Sequence, residues 1–240
     1  MYIYDRCFRY IMSLENLSTI RKNIDERREE SRRMIMLASL ELFYRKGYQQ
    51  TTTRDIVVKT GLLNGSIYNR FKSKEDILLS IVKAALEEGL GECAAVLEKE
   101  SNPLIAAILP GAMEIELSSR SQKIADIIYE AHRLWGAVDI YSDMNIQWFS
   151  DYLDRYGIRI TDIDDIKLKM CAFLGAIGNI CGMYAHGGTG DVRRIIEYMC
   201  SYISVLFTIP VFELSATVDR IMDIISENRI RLFEQIMASE

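Results

Sequence analysis

The chain has 240 residues, of which 49% are hydrophobic and 26% charged, and its net charge at pH 7 is −5. This length and composition are sufficient for a substantial buried core. Three prolines and the absence of alternating apolar strands predict an all-helical chain. The five cysteines, an odd number without a C-x-x-C pair, indicate neither a disulfide framework nor a zinc ribbon, and they favour a reducing cytoplasm.

Charge is distributed unevenly along the chain. Residues 1–80 contain 15 Lys and Arg against 10 Asp and Glu, whereas residues 81–240 contain 14 against 24. A basic end on an acidic body favours an oriented contact with phosphate through the basic end. A solvated helix surface explains the same counts, so charge alone does not decide between the two.

The first segment, 1–25, is predicted to be an N-terminal extension. Two interpretations of its start remain open: Met12 is the true start, or the first 11 residues form a loose arm. Charged residues interrupt the start and no long apolar stretch follows, so no signal peptide is predicted. The charged run within 21–33 is typical of an exposed helix start, although its arginines are also placed to reach phosphates or a minor groove.

Residues 51–76 have the pattern of two short helices joined by a tight glycine turn. Thr52 and Asp55 form an imperfect capping box at the start of the first helix. Gly61 is predicted to end that helix in a left-handed conformation. A second helix is expected from Asn64 to Phe71, with its hydrogen-bonding side chains turned outward. This spacing is typical of a helix-turn-helix.

The next helix is predicted to begin after Ser73, which forms an S-x-x-D cap with Asp76. The cap places Lys72 and Lys74 beside the first turn of that helix. A phosphate would meet free backbone N–H groups and two ammonium groups there.

The segment from Ile35 to Leu79 resembles the DNA-binding domain of the TetR family of bacterial regulators. The matching residues are Ile35, Ala38, Leu42, Phe43, Gly47, Tyr48, Thr52, Arg54, Asp55, Ile56, Gly61, Gly65, Tyr68, Phe71, Lys74 and Glu75. Leu63 departs from the family, which usually has a capping serine there, so the cap shifts to Asn64 or is lost at a cost of about 0.5–2 kcal/mol.

The resemblance implies an N-terminal three-helix helix-turn-helix head and a helical body that binds a ligand and forms dimers. The expected boundaries are 26–72 for the head and 73–240 for the body. It further implies a homodimeric, ligand-responsive regulator, most often a repressor, which binds a palindromic double-stranded DNA operator. A small-molecule effector would spread the two heads and release the operator.

Within the head, the outward side chains of the second helix are expected to read base edges. These are Asn64, Ser66 and Asn69, and an amide suits adenine best. The residues expected to hold phosphates and fix the register are Thr52, Thr53, Arg54, Tyr68, Lys72 and Lys74. Leu63 and Gly65 complete the predicted DNA-binding segment.

Six further helices are predicted beyond the head, the last from Leu214 to Met237. Their breaks are expected at 89–91, 102–103, 118–121, 136, 157, 187–190 and 210. The first of these helices leaves the head, so any movement of the body is expected to pass through it.

The run from Met170 to Ala185 has no charged residue, but its 16 residues are fewer than the roughly 20 that span a bilayer. It is therefore predicted to be a buried helix with no membrane contact. One face of this helix has small residues, which are Cys171, Gly175, Gly178, Gly182 and Ala185. The next helix has an apolar stripe, which consists of Ile195, Met199, Tyr202 and Leu206.

The resemblance implies that helices 163–186 and 191–208 pair with the same helices of a second subunit and form a four-helix dimer interface. A two-fold dimer would place the heads on half-sites one helical turn apart, about 34–36 Å. Packing inside one subunit is the alternative for the same two helices.

The segments between residues 104 and 153 are rich in aromatic residues and Met, which suits a hydrophobic or aromatic ligand held by one or two hydrogen bonds. His132 and Trp135, three apart, are expected on one helix face, and Glu116 would favour a cationic ligand if it faces inward. Each of these residues alone is more often part of a core. The expected ligand contacts are Met113, Glu116, His132, Trp135, Trp148 and Asn179.

Two other classes of protein compete with a regulator. An enzyme is disfavoured because the chain has two histidines, no P-loop, no H-E-x-x-H and no G-x-G-x-x-G after a strand. No catalytic residue, cofactor or metal site is therefore predicted. A helical small-molecule-binding or scaffold protein whose head no longer binds DNA would need a damaged recognition face, and Leu63 is the one sign of damage.

Overall fold

The computed structural model describes residues 25–153 and 162–238, except for the side chains at 145, 147–153 and 163. These residues form helices and no strand, so the predicted all-α class is confirmed for the part described. Most of the predicted extension 1–25 and the predicted break at 157 lie outside it. The helices are α1 (25–46), α2 (Thr53–Thr60), α3 (Asn64–Tyr68), α4 (Lys74–Leu97), α5 (Pro103–Arg120), α6 (Gln122–His132), α7 (Trp135–Leu153), α8 (Ile163–Ala185), α9 (Val192–Phe207), α10 (Leu214–Glu227) and α11 (Arg231–Met237).

Helices α1 to α3 enclose a small core of aromatic and branched side chains. Phe43, Tyr48, Ile56, Ile67 and Phe71 are each 3% exposed or less. The rings of Phe43 and Tyr48 meet edge to face, with centroids 5.0 Å apart. The helix-turn-helix is therefore held by its own apolar centre as well as by its turns.

Helix α4 leaves this core and runs without interruption for 24 residues. The predicted break at 89–91 is wrong, because Gly89 and Gly91 both lie inside α4. A Cβ on Gly89 would lie 3.2 Å from Ile230 and 3.3 Å from Met113. The glycine therefore allows α5 and the segment before α11 to approach α4 closely.

Helix α5 runs through the centre of the body and contacts α8, α9, α6 and α10. Helix α8 packs against α6 through Gly178 and Gly182, where an added Cβ would lie 2.8 Å from His132 and 2.7 Å from Tyr129. These two glycines face their own subunit, as the within-subunit alternative predicted. In the part of the chain that the structure describes, one helical stretch, Asp164–Ala185, is long and apolar enough to cross a membrane, and 44% of it is buried inside the protein.

Some of the other predicted helix breaks are confirmed and others are wrong. The loop between α4 and α5 ends at Asn102, further loops lie at 187–190 and at 210, and α5 gives way to α6 at Ser121, as predicted. Gly136 instead lies in the first turn of α7, where its missing side chain lets Leu79 of α4 approach. The single predicted helix from Leu214 to Met237 is two helices, because Asn228 adopts an extended conformation. The described residues from α4 onward thus form eight helices, not six.

Candidate functional site

The turn of the helix-turn-helix is fixed by hydrogen bonds over a few residues. Thr52 Oγ1 accepts a bond from the Asp55 N–H at 3.2 Å, and Asp55 Oδ2 accepts one from the Thr52 N–H at 2.7 Å. Lys46, 2.7 Å away, and Thr52 hold the pKa of Asp55 below its usual range. Gly61 ends α2 with φ at +67°, a conformation that favours glycine. The predicted capping box and glycine stop are therefore both present.

Helix α3 presents a short, exposed and mostly polar face. It ends at Tyr68 rather than at Phe71 as predicted, because the chain turns at 69–70 before the buried Phe71 ring. Leu63 precedes it without a side-chain cap and is 80% exposed, so the expected capping bond is lost. Ser66 is half-buried, and the side chains on the exposed surface are Leu63, Asn64, Tyr68 and Asn69, with Gly65 between them.

Cationic and polar groups surround this face. Arg54 on α2 and Lys72 before α4 are exposed, and Thr53 is half-buried. The Lys72 N–H donates to Asp76 Oδ2 at 2.9 Å, and the Asp76 N–H donates to Ser73 Oγ at 3.3 Å. The predicted cap of α4 is therefore present, with the Lys72 side chain outside it.

Lys74 has a different role from the one expected. Its Nζ donates to the carbonyls of Tyr48 and Thr51 at 2.8 and 3.0 Å and lies 4.1 Å from the centre of the Tyr48 ring. Burial lowers the pKa of this ammonium. Two of its three donors are thus used inside the head. Instead of projecting toward a phosphate, Lys74 ties the start of α4 to the turn after α1.

Replacing Lys74 with Met should lower the free energy of unfolding by about 1–3 kcal/mol, because two carbonyls lose a charged donor near the core. Urea denaturation followed by circular dichroism measures this change. Lys72→Met is the matched control: the side chain is exposed, and its loss should change stability by less than about 0.5 kcal/mol. Equal stabilities of the two variants would contradict the internal role of Lys74.

The body touches the head through α6 as well as through α4. Gln49 Nε2 donates to Glu130 Oε2 at 2.7 Å, and Lys123 Nζ lies 4.8 Å from the centre of the Tyr44 ring. The expectation that all movement passes through α4 is therefore incomplete. A shift of α6 also reaches the head directly, through the turn that follows α1.

A cavity of about 190 Å³ opens between α6, α7 and α8. His132 and Asn179 both line it, although Asn179 already donates its amide to the Gly175 carbonyl at 2.7 Å. His132 Nε2 lies 2.8 Å from Glu114 Oε2, and both side chains are at most 10% exposed. Sequence reasoning missed Glu114, a carboxylate inside the apolar run of α5, where a charge needs a buried partner.

The other predicted ligand residues lie elsewhere. Met113 and Glu116 line small cavities beside α11, where Glu116 is 3.6 Å from Arg120 and burial raises its pKa. This carboxylate already has a cationic neighbour, so it does not call for a cationic ligand. Trp135 is 83% exposed, and because α6 ends at His132 the two residues do not share a helix face. The side chain of Trp148 lies outside the described part of the chain.

Helices α8 and α9 each keep apolar side chains on the surface. Leu168 on α8 is 72% exposed, and Tyr198, Tyr202 and Val205 on α9 are 59%, 37% and 83% exposed. The predicted α9 stripe is correct only at Tyr202, because Met199 is buried inside the subunit and Ile195 and Leu206 are half-buried against its core. The exposed stripe shares Tyr202 with the predicted one and otherwise consists of Tyr198 and Val205, one residue before the predicted Met199 and Leu206.

Comparison with known proteins matches residues 35–81 to the family described as bacterial regulatory proteins, tetR family. The HTH-type transcriptional regulator YfiR of Bacillus subtilis is 32% identical over 76 residues, which are 32% of this chain and 37% of that protein. The HTH-type transcriptional repressor KstR2 of Mycolicibacterium smegmatis is 35% identical over 78 residues, 32% of this chain and 36% of that protein. The chain therefore matches little more than a third of the length of these curated relatives.

The likeness in three dimensions extends over most of the chain. The crystal structure of RolR, determined with resorcinol, covers 85% of this chain and 97% of its own, with a TM-score of 0.56 and 15% identity. At that identity the comparison shows a shared fold. The relatives matched by sequence are named as transcriptional regulators. Residues 35–81 therefore form a helix-turn-helix of the kind found in the tetR family of bacterial regulatory proteins, and the helical fold around it is shared with RolR.

Proposed function

We propose that this DNA-binding transcriptional regulator acts in the cytoplasm as a homodimeric repressor, which a small hydrophobic or aromatic effector releases from a palindromic operator. The observation that carries the proposal is the exposed polar face of α3, held between a capped α2 and a capped α4. The division into an extension 1–25, a head 26–72 and a body 73–240 is part of the proposal. KstR2, a transcriptional repressor that is 35% identical over 78 residues, supports the sign of regulation.

In this proposal α3 enters the major groove, and Asn64, Ser66 and Asn69 contact base edges. Leu63, exposed at the start of α3, offers an apolar contact to a thymine methyl group. Gly65 lets the backbone approach the bases, because nothing lies within 4 Å of its missing side chain. Phosphates are held by Thr52, Thr53, Arg54, Tyr68 and Lys72, while Lys74 supports the fold.

Dimerisation through helices 163–186 and 191–208 is supported by the exposed apolar side chains of α8 and α9. Burying Leu168, Tyr202 and Val205 against a second copy removes apolar surface from water, which favours association. The two heads then read half-sites about 34–36 Å apart. Val205→Glu should give monomers in sedimentation velocity; Val58→Glu, the same change on the exposed surface of α2, should leave the dimer intact.

Effector release is supported by the cavity beside α6, because α6 also contacts the head at Gln49. RolR, which shares the fold, was crystallised with the small aromatic molecule resorcinol. A coupling free energy of about 1–3 kcal/mol between effector and operator suffices for regulation.

A titration of labelled duplex DNA by fluorescence anisotropy, repeated at rising salt, tests the DNA-binding part of the proposal. A basic head that neutralises several phosphates predicts a linear fall of log K with log salt concentration. A folded dimer that binds no duplex at low salt would favour the alternative, in which the head no longer binds DNA. The protein would then be a helical ligand-binding or scaffold protein, or an enzyme.

A further inference from the structure

One wall of the cavity between α6, α7 and α8 is a histidine held in a single orientation. The His132 ring stacks on the Tyr141 ring, with centroids 4.7 Å apart and planes inclined by 12°. Its Nε2 is bound to Glu114 at 2.8 Å. Gly178 of α8 also lies close, because an added Cβ there would be 2.8 Å from His132 Cβ and 3.4 Å from Nδ1. The ring is therefore held by a stacked ring, a carboxylate and the nearby backbone of α8.

The Glu114 contact determines what the other ring nitrogen offers. When the carboxylate is ionised and the ring is neutral, the imidazole proton is on Nε2, because a carboxylate only accepts hydrogen bonds, and Nδ1 is then an acceptor. Among the described residues, no protein group donates to Nδ1 of His132. Because His132 lines the cavity, a ligand in the cavity that brings a hydrogen-bond donor can pair with this acceptor.

The size and the walls of the cavity limit what that ligand is. The volume is about 190 Å³, and an engineered protein cavity of about 150 Å³ admits benzene. Val138, Leu174 and the ring of Tyr129 supply apolar and aromatic walls. One aromatic ring with one or two small substituents therefore fits this cavity.

We propose that this cavity is the effector site and that its occupant is a monocyclic phenol. The phenol O–H donates to His132 Nδ1, and the ring lies against Tyr129, Val138 and Leu174. The role of the phenol as effector rests on the proposed function, but its binding requires no DNA. Helix α6 carries both His132 and Glu130, the partner of Gln49 in the head, so the occupied cavity lies two residues along α6 from a head contact.

Isothermal titration calorimetry of the full-length protein with phenol, anisole and benzoate tests the chemistry of recognition. Anisole has the same ring and an oxygen acceptor but no O–H donor, and benzoate replaces the donor with an anion. Phenol should bind at least about tenfold more tightly than either, the ratio expected for one buried hydrogen bond. Equal affinity for phenol and anisole, or tighter binding of benzoate, would overturn the proposal.

Two variants locate the site. Val138→Phe fills the cavity and should abolish binding of phenol. Val58→Phe places the same change on the exposed surface of α2 and should leave phenol affinity unchanged. Retained phenol binding in folded Val138→Phe would place the site elsewhere and overturn the assignment.

Nuclear magnetic resonance of the imidazole nitrogens reads the contact directly, without a variant at the site. The chain has two histidines, and His186→Gln assigns their signals. Nδ1 of His186 already contacts the Gly182 carbonyl at 2.7 Å, so it serves as an internal reference. Phenol should shift Nδ1 of His132 and leave His186 unchanged; no shift at His132 would overturn the proposal.

The outcomes separate this inference from the proposed function. If phenol binds at His132 but the protein selects no DNA sequence, the phenol site is supported and the proposed regulatory function is rejected. If the protein binds an operator but not phenol, only the phenol site is rejected.

Discussion

Replacing Phe71 with alanine should lower the free energy of unfolding by about 3–5 kcal/mol, the usual cost of deleting a large buried aromatic side chain. Phe71 is 1% exposed. The Arg32 guanidinium lies 4.3 Å from the centre of its ring and donates to the Arg70 carbonyl and to Ser80 Oγ. One ring thus holds together the end of the helix-turn-helix, helix α1 and the start of α4.

Urea denaturation monitored by circular dichroism measures this effect. Leu63→Ala is the control within the same domain, because Leu63 is 80% exposed and its truncation should change stability by less than about 0.5 kcal/mol. A loss below about 1 kcal/mol for Phe71→Ala would mean that the ring is not the packed centre described here.

Replacing Asn69 with alanine should weaken binding to the operator by about 1–3 kcal/mol at one base position. Asn69 is exposed immediately after α3, where an amide can form two hydrogen bonds with adenine. Binding to random duplex should be almost unchanged, because a base contact contributes little outside the specific site. Anisotropy titrations with operator and random DNA measure both quantities.

Lys72→Ala is the matched comparison for a phosphate contact. It should weaken binding to operator and to random DNA alike, and reduce the slope of log K against log salt by about 1. Equal losses on both DNAs for Asn69→Ala as well would contradict the separation of base contacts from phosphate contacts.

Local features of the head could be predicted from sequence because their partners are close in the chain. Thr52 and Asp55 are three residues apart, and Gly61 needs only its own left-handed backbone. The Leu63 departure was also visible, since no side-chain oxygen is available at that position. Capping and turn chemistry depend on short spacing, and short spacing is what a sequence displays.

The features that could not be predicted depend on partners far apart in the chain. Lys74 donates to carbonyls 23 and 26 residues earlier in the chain. A side chain at a position typical of a phosphate contact therefore stabilises the head instead. Gly89 and Gly91 looked like a helix end, yet close packing explains Gly89. His132 joined Glu114 from another helix, while Trp135 fell beyond the end of α6. In each case tertiary packing overrode a local signal.

Selection of the purified 240-residue chain on a library of random DNA duplexes shows whether it recognises a DNA sequence. We expect a palindrome whose half-site centres are one helical turn apart, about 10 base pairs, with affinity that falls steeply as salt rises. A well-folded protein that enriches no sequence, and whose DNA binding is insensitive to salt, would show that the protein is not a sequence-specific DNA-binding regulator.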